Sequence, residues 1–122
     1  MVKTKLYEEY EVQLLIQMGF TRSQATVYLS LLKLGDTDSK ELSKEANLSS
    51  QQVFRIIREL QEIGLVEREL IMKPYKFKAI PPELGLKLVL TQRLKQYREM
   101  QENVIESFKK AQWYFNKFAK PI

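Results

Sequence analysis

The stretch that decides the fold is residues 49–64, SSQQVFRIIRELQEIG. With about 3.6 residues per turn, its apolar residues fall on a single stripe, which predicts a helix with one face in a core. These residues are Val53, Ile56, Ile57, Leu60 and Ile63. The opposite stripe is polar and is formed by Gln51, Arg55, Arg58 and Glu62. Because arginine suits guanine and glutamine suits adenine in a major groove, this stripe is typical of a DNA recognition helix. A polar face that is merely solvated is the alternative interpretation.

The composition favours a binding protein over an enzyme. A chain of 122 residues with 44% hydrophobic content allows one domain with a modest core, plus an extension. The absence of Cys and His removes disulfides, Cys/His zinc sites, thiol nucleophiles and imidazole acid–base chemistry. The four glycines form no phosphate-binding loop. We therefore expect no catalytic residues, no metal site and no cofactor.

The charge balance permits a polyanionic partner without requiring one. The net charge is +5, from 20 basic and 15 acidic residues, and the basic surplus lies after residue 64. The apolar runs are too short to span a bilayer, and the N-terminus lacks the apolar segment of a signal peptide. We expect a soluble cytoplasmic protein that does not contact a membrane.

Two helices are predicted before residue 36. The first runs from Leu6 to Met18 and carries Leu6, Tyr10, Leu14 and Leu15 at helical spacing before Gly19. The second opens at Thr21, which with Gln24 has the spacing of a capping box, and it ends at Gly35. Its inward residues are predicted to be Ala25, Tyr28, Leu29, Leu31 and Leu32.

A short helix precedes the recognition helix. Asp38 with Glu41 has capping spacing, the helix continues through Ala46, and Asn47 suits a left-handed exit. Ser49 and Gln52 then form the next capping pair. Two helices joined by so short a connection predict a helix-turn-helix.

A β-hairpin is predicted directly behind the recognition helix. LVEREL and YKFKAI have strand character, and IMKP between them indicates a turn. A hairpin in this position is a wing, along which Arg68, Lys73 and Lys76 would contact the phosphate backbone. A solvated hairpin face is the alternative.

A long helix follows Pro81 and Pro82, since proline is tolerated in a first turn. Its residues at alternating steps of four and three form a heptad seam: Leu90, Leu94, Tyr97, Gln101, Val104, Phe108, Ala111, Phe115 and Phe118. A small winged domain cannot bury so long a stripe, so the seam predicts a homodimer. Parallel and antiparallel arrangements both remain open.

The predicted fold class is mainly α with a small β-hairpin: a winged helix-turn-helix domain at 1–82 and a long C-terminal dimerisation helix at 83–122. The predicted function is sequence-specific binding of double-stranded DNA by a homodimeric transcription regulator. The recognition helix, 50–63, would lie in the major groove and the wing, 65–80, on the phosphate backbone. The alternative is a winged-helix protein-interaction module of the transcription machinery with little DNA affinity. The candidate DNA-binding residues of the recognition helix and its cap are Ser49, Ser50, Gln51, Gln52, Arg55 and Arg58.

Three segments resemble the N-terminal domain of the TrmB family of transcriptional regulators, known chiefly from archaea. They are MGFTRSQATVYLSLLKLG at 18–35, ELSKEANLSSQQVFRIIRELQEIGLVE at 41–67 and YKFKAIPPELGLKL at 75–88. The resemblance implies a dimeric winged helix-turn-helix that binds a palindromic promoter, with dimer contacts from the helix after the wing. Sugar-sensing members of the family carry a large effector domain after that helix. Since the sequence stops at Ile122, we expect a short member or the DNA-binding part of a longer one, and no small-molecule effector is assigned.

Overall fold

The computed structural model describes residues 2–69 and 75–118, with side chains from residue 8 onward. In chain order, the elements are α1 (Val2–Gln17), α2 (Arg22–Leu34), β1 (Thr37–Asp38), α3 (Ser39–Ala46), α4 (Ser50–Ile63), β2 (Val66–Glu69), β3 (Lys76–Ala79) and α5 (Pro82–Phe118). The chain divides into two compact units, Met1–Val89 and Leu90–Ile122. Among the described helices, none has the length and apolar content that crossing a bilayer would require.

The predicted starts of α2, α3 and α4 are confirmed by their capping geometry, whereas α1 begins at Val2, four residues before the predicted Leu6. Thr21 and Ser49 each form a complete capping box, with Gln24 and Gln52 respectively. The Asp38 side chain accepts from the backbone N–H of Glu41 and caps α3. Asn47 ends α3 in the left-handed conformation, with φ 55° and ψ 47°. The short connection to Ser49 sets α4 directly after α3, which is the predicted helix-turn-helix.

The sheet has one strand more than the predicted hairpin. Its order is β1-β3-β2 with both pairings antiparallel, so the strand that returns from the wing lies in the middle. In β1, Thr37 lies opposite Phe77, and both side chains are buried. The extra strand therefore joins the start of α3 to the wing.

The core of the first unit contains most of the predicted inward residues. Val53, Ile56, Ile57 and Leu60 are buried as predicted, and so are Ala25, Tyr28 and Leu31. The prediction for Leu32 was wrong, because this side chain is exposed, and Tyr10 and Leu14 of α1 are exposed as well. Val27 is buried in α2, and Val12 with Leu15 supplies the buried side of α1.

Tyr28 fixes the end of the wing. Its Oη donates to the carbonyl oxygen of Ile80 at 2.6 Å, which joins α2 to the residue after β3. Burial, and then the nearby charge of Glu83, raises the pKa of Tyr28 to about 12. The phenol therefore stays protonated and keeps donating across the neutral pH range.

The start of α5 belongs to the first unit. Gly85 and Val89 are buried, and a Cβ at Gly85 would lie 2.8 Å from Leu65 Cδ2 and 3.1 Å from Ile80 Cγ2. The start of α5 therefore packs closely on Leu65 and Ile80, and the compact unit includes residues up to Val89.

The second unit is helical, and its apolar seam is exposed in the part of the chain that the structure describes. Seven of the predicted seam residues are exposed large hydrophobics: Leu90, Leu94, Tyr97, Val104, Phe108, Phe115 and Phe118. Gln101 is also exposed, and Ala111 is partly exposed.

Candidate nucleic-acid interface

The helix α4 is held at its start, along one face and at its end. At its start, the Ser49 Oγ accepts from Gln52 N–H at 3.2 Å, and the Gln52 Oε1 accepts from Ser49 N–H at 3.1 Å. Along its length, Glu59 accepts a hydrogen bond from Gln24 of α2 at 3.2 Å. At its end, Gly64 takes the left-handed conformation with φ 94°. These contacts fix which face of the helix points outward.

The outward face carries the predicted polar stripe. Gln51, Arg55 and Arg58 are exposed and recur at steps of four and three, so they lie one above another on the helix. Within residues 8–69 and 75–118, neither arginine forms an ion pair. Their guanidinium groups are therefore available to an acceptor outside the subunit.

Two other basic residues of the first unit have carboxylate partners. Arg22 Nη2 lies 2.9 Å from Glu9 Oε1, and Lys33 Nζ lies 2.7 Å from Glu45 Oε1. The hydrogen bond from Arg22 is the main cause that lowers the pKa of Glu9 to about 2. Arg55 and Arg58 differ from these two residues, because neither forms an ion pair within residues 8–69 and 75–118.

The structure places Ser49 and Gln52 in the helix cap. Because the Gln52 Oε1 also accepts from the Ser49 hydroxyl at 3.1 Å, both side chains have local partners. Ser50, the first residue of α4, is exposed beside them. The outward stripe therefore begins at Gln51, and the capping pair lies to its side.

The wing residues do not share one face of the sheet. Arg68 pairs in register with Phe77, so it lies on the side of the sheet that faces the core, and its guanidinium stacks 4.8 Å from the Tyr75 ring centre. Lys76 lies on the opposite side. Sequence alone did not reveal this separation, because it depends on the strand register. Lys73, the third predicted wing residue, lies outside the described residues.

Lys76 has an acidic residue opposite it on each side. In register, it lies opposite Glu69 of β2 and Asp38 of β1, and Lys78 lies opposite Glu67. Side chains opposite one another in a sheet are close neighbours. The outer face of this sheet is therefore nearly balanced in charge.

One residue of the outward face was not singled out from the sequence. Phe54 is 51% exposed, although it is a large aromatic residue in the middle of α4. It follows Gln51 by three residues and precedes Arg58 by four, so it lies on the same face. That spacing is the signal in the sequence that could have identified it.

Comparisons with known proteins found a matching family and a related protein. The family described as "Sugar-specific transcriptional regulator TrmB" matches residues 14–83. The sugar-sensing transcriptional regulator TrmBL1 of Pyrococcus furiosus is 29% identical over 62 residues, which cover 51% of this chain and 18% of TrmBL1.

Two solved structures share the fold. TrmBL2, described as an archaeal chromatin protein with a novel mode of DNA binding, aligns with a TM-score of 0.81 at 16% identity, covering 94% of this chain and 44% of TrmBL2. A possible transcriptional regulator from Methanosarcina mazei Go1 aligns with a TM-score of 0.61 at 16% identity. The alignment covers 74% of this chain and 80% of the Methanosarcina chain.

The match spans only part of the longer relatives, 18% of TrmBL1 and 44% of TrmBL2. The family match over residues 14–83 nevertheless includes every helix and strand from α2 to β3, together with the outward face of α4. With a winged-helix DNA-binding fold and a family match over more than half of its length, the chain belongs to the TrmB family of transcriptional regulators.

Proposed function

We propose that the protein is a sequence-specific regulator of transcription that binds double-stranded DNA as a homodimer. In this proposal, α4 (residues 50–63) lies in the major groove, and the wing (residues 65–80) follows the phosphate backbone. The observation that carries the proposal is the outward stripe of α4. There Gln51 and two arginines, which form no ion pair among the described residues, face away from the buried apolar stripe. Since its target is chromosomal DNA, we assign its action to the cytoplasm.

The homodimer rests on the uncovered seam of the second unit. Apolar residues at heptad spacing need a second helix to exclude water, and a second copy of the same helix is the simplest source. A two-fold dimer presents two copies of α4, so we expect the operator to be a palindrome with half-sites about one helical turn apart or a multiple of it.

The test is arginine replacement against an operator selected from a random duplex pool. Arg55→Ala or Arg58→Ala should lower affinity by about 1–3 kcal/mol and relax the preference at one base position, because a bidentate contact to a guanine is lost. Arg22→Ala is the matched control, since it removes the same charge from a residue that pairs with Glu9. If neither Arg55→Ala nor Arg58→Ala changes affinity or preference more than the control, the proposed reading face is wrong.

The wing residues have a different expected signature. Lys76→Ala should weaken binding to all sequences alike and reduce the slope of log affinity against log salt by about one unit. The same applies to Lys73→Ala. A change in base preference instead would contradict a backbone role.

The nearly balanced charge of the sheet favours a second candidate, a protein-interaction module of the transcription machinery. With Asp38 and Glu69 opposite Lys76, the wing attracts phosphates less strongly than its lysines alone suggest. Salt dependence separates the candidates, because phosphate contacts give a steep dependence on salt concentration. Negligible binding to duplex DNA at low salt would overturn the proposed function in favour of this second candidate.

A further inference from the structure

The feature that the proposed function leaves unexplained is the exposed ring of Phe54. Its 51% exposure contrasts with the neighbouring apolar residues of α4, since Val53 and Leu60 are fully buried. Within residues 8–69 and 75–118, Phe54 makes no ring contact and is not part of the packed core. An aromatic ring held in water in the middle of a helix loses the free energy that burial would provide.

The position of Phe54 brings it to the same surface as the arginines. Four residues share one face of α4, because successive members are three, one and three positions apart. They are Gln51, Phe54, Arg55 and Arg58. The ring lies one turn after Gln51 and one turn before Arg58. A duplex that Gln51 and Arg58 contact would therefore also meet the ring.

The major groove offers such a ring one apolar partner. Base edges there present hydrogen-bond donors and acceptors, apart from the C5-methyl group of thymine. Phe54 has no polar atom and cannot read the donors and acceptors. It can exclude water from a methyl group, and cytosine, which has no methyl at C5, lacks this contact.

We propose that Phe54 is a specificity-determining residue that recognises the C5-methyl group of a thymine between the bases that Gln51 and Arg58 contact. This inference rests on the proposed DNA-binding function and deepens it. It adds an apolar component to a face whose other members form hydrogen bonds, so the operator should contain at least one thymine per half-site whose methyl group is required.

The experiment replaces thymine by deoxyuridine in the selected operator, one position at a time. This change removes only the methyl group and leaves every phosphate and hydrogen-bonding edge in place. At one position per half-site, the wild-type protein should bind the uracil duplex about fourfold more weakly, the value expected for one buried methyl group. Phe54→Ala should bind the thymine and uracil duplexes equally at that position.

Two further variants control the interpretation. Phe54→Leu keeps an apolar side chain and should retain part of the preference for thymine. Arg58→Ala should bind more weakly overall and still distinguish thymine from uracil. Thermal unfolding of each variant shows that the fold is intact, which the exposure of Phe54 leads us to expect.

The outcomes separate this inference from the proposed function. If the wild-type protein selects an operator but no thymine-to-uracil change matters, or if the preference persists in Phe54→Ala, the inference is wrong and sequence-specific binding stands. If Phe54→Ala lowers only thermal stability or dimer formation, Phe54 packs within the protein and the inference is also wrong. If the wild-type protein selects no sequence, the proposed function and the inference both fail.

Discussion

The units Met1–Val89 and Leu90–Ile122 use the same kinds of apolar residue in opposite environments. In the first unit, most leucines, isoleucines and valines of α2, α3 and α4 are buried or partly buried, and Leu31, Leu42 and Leu60 are completely buried. In the second, Leu94 and Phe108 are 53% and 71% exposed. The two units do not differ in the type of apolar residue that they contain. They differ in the number of helices and strands that are available to cover each apolar side chain. The first unit completes its core within one chain, whereas the seam of the second has no covering element among the described residues.

The largest expected effect is on assembly. Phe108→Asp would place a charge in the apolar seam, where burial of an unpaired ion costs several kcal/mol per subunit, and a dimer contains two copies. We expect the variant to sediment as a monomer at concentrations where the wild-type protein is a dimer. Ser107→Asp, with the same charge one residue away and off the seam, should remain dimeric. A dimeric Phe108→Asp chain would show that the seam is not the interface.

The next effect compares the same substitution in both units. Leu60→Ala should lower the free energy of unfolding by about 2–5 kcal/mol, because it leaves a cavity in a fully buried site. Leu94→Ala should have an effect that depends on protein concentration, because in the proposed dimer its contacts form only on association. Urea denaturation at two protein concentrations measures both. A loss for Leu94→Ala that is the same at both concentrations would mean that the seam is covered within its own chain.

The smallest effect concerns the ion pair between α1 and α2. Arg22 lowers the pKa of Glu9 from 4.5 to about 2, so the carboxylate stabilises the folded state fully above pH 4.5 and loses that effect as the pH falls toward 2. Glu9→Gln should lower the melting temperature slightly at pH 7 and leave it unchanged at pH 2. Glu11→Gln on the same helix is the control, and it should change little at either pH. An equal change at both pH values would rule out the ion pair as the cause.

The starts of α2 and α4 were predictable from the sequence because their causes are local. In each capping box, two residues three positions apart accept hydrogen bonds from each other's backbone N–H groups at the helix start. The pairs are Thr21 with Gln24 and Ser49 with Gln52. The buried stripe of α4 was likewise predictable, since four apolar residues recur at helical spacing.

The features that the sequence did not reveal depend on distant partners. Strand β1 has two residues and exists because Thr37 meets Phe77, forty residues later. Leu32 has the same spacing signal as Leu31, and only the arrangement of neighbouring helices leaves it exposed. The stacking of Arg68 on Tyr75 required the register of β2 against β3. Periodicity identifies an amphipathic element, but it does not identify which part of its apolar stripe another element covers.

Asp38 belongs to two structures at once. Its backbone pairs with Lys76 in the wing, and its side chain caps α3, the helix that precedes α4. A shift of the strand pairing between Asp38 and Lys76 would therefore also disturb the N-terminal cap of α3. For a duplex bound as proposed, the spacing between groove and backbone contacts is preset by the protein. A sequence whose groove width differs from that spacing must itself supply the deformation energy, so DNA stiffness contributes to operator choice at bases that no side chain touches.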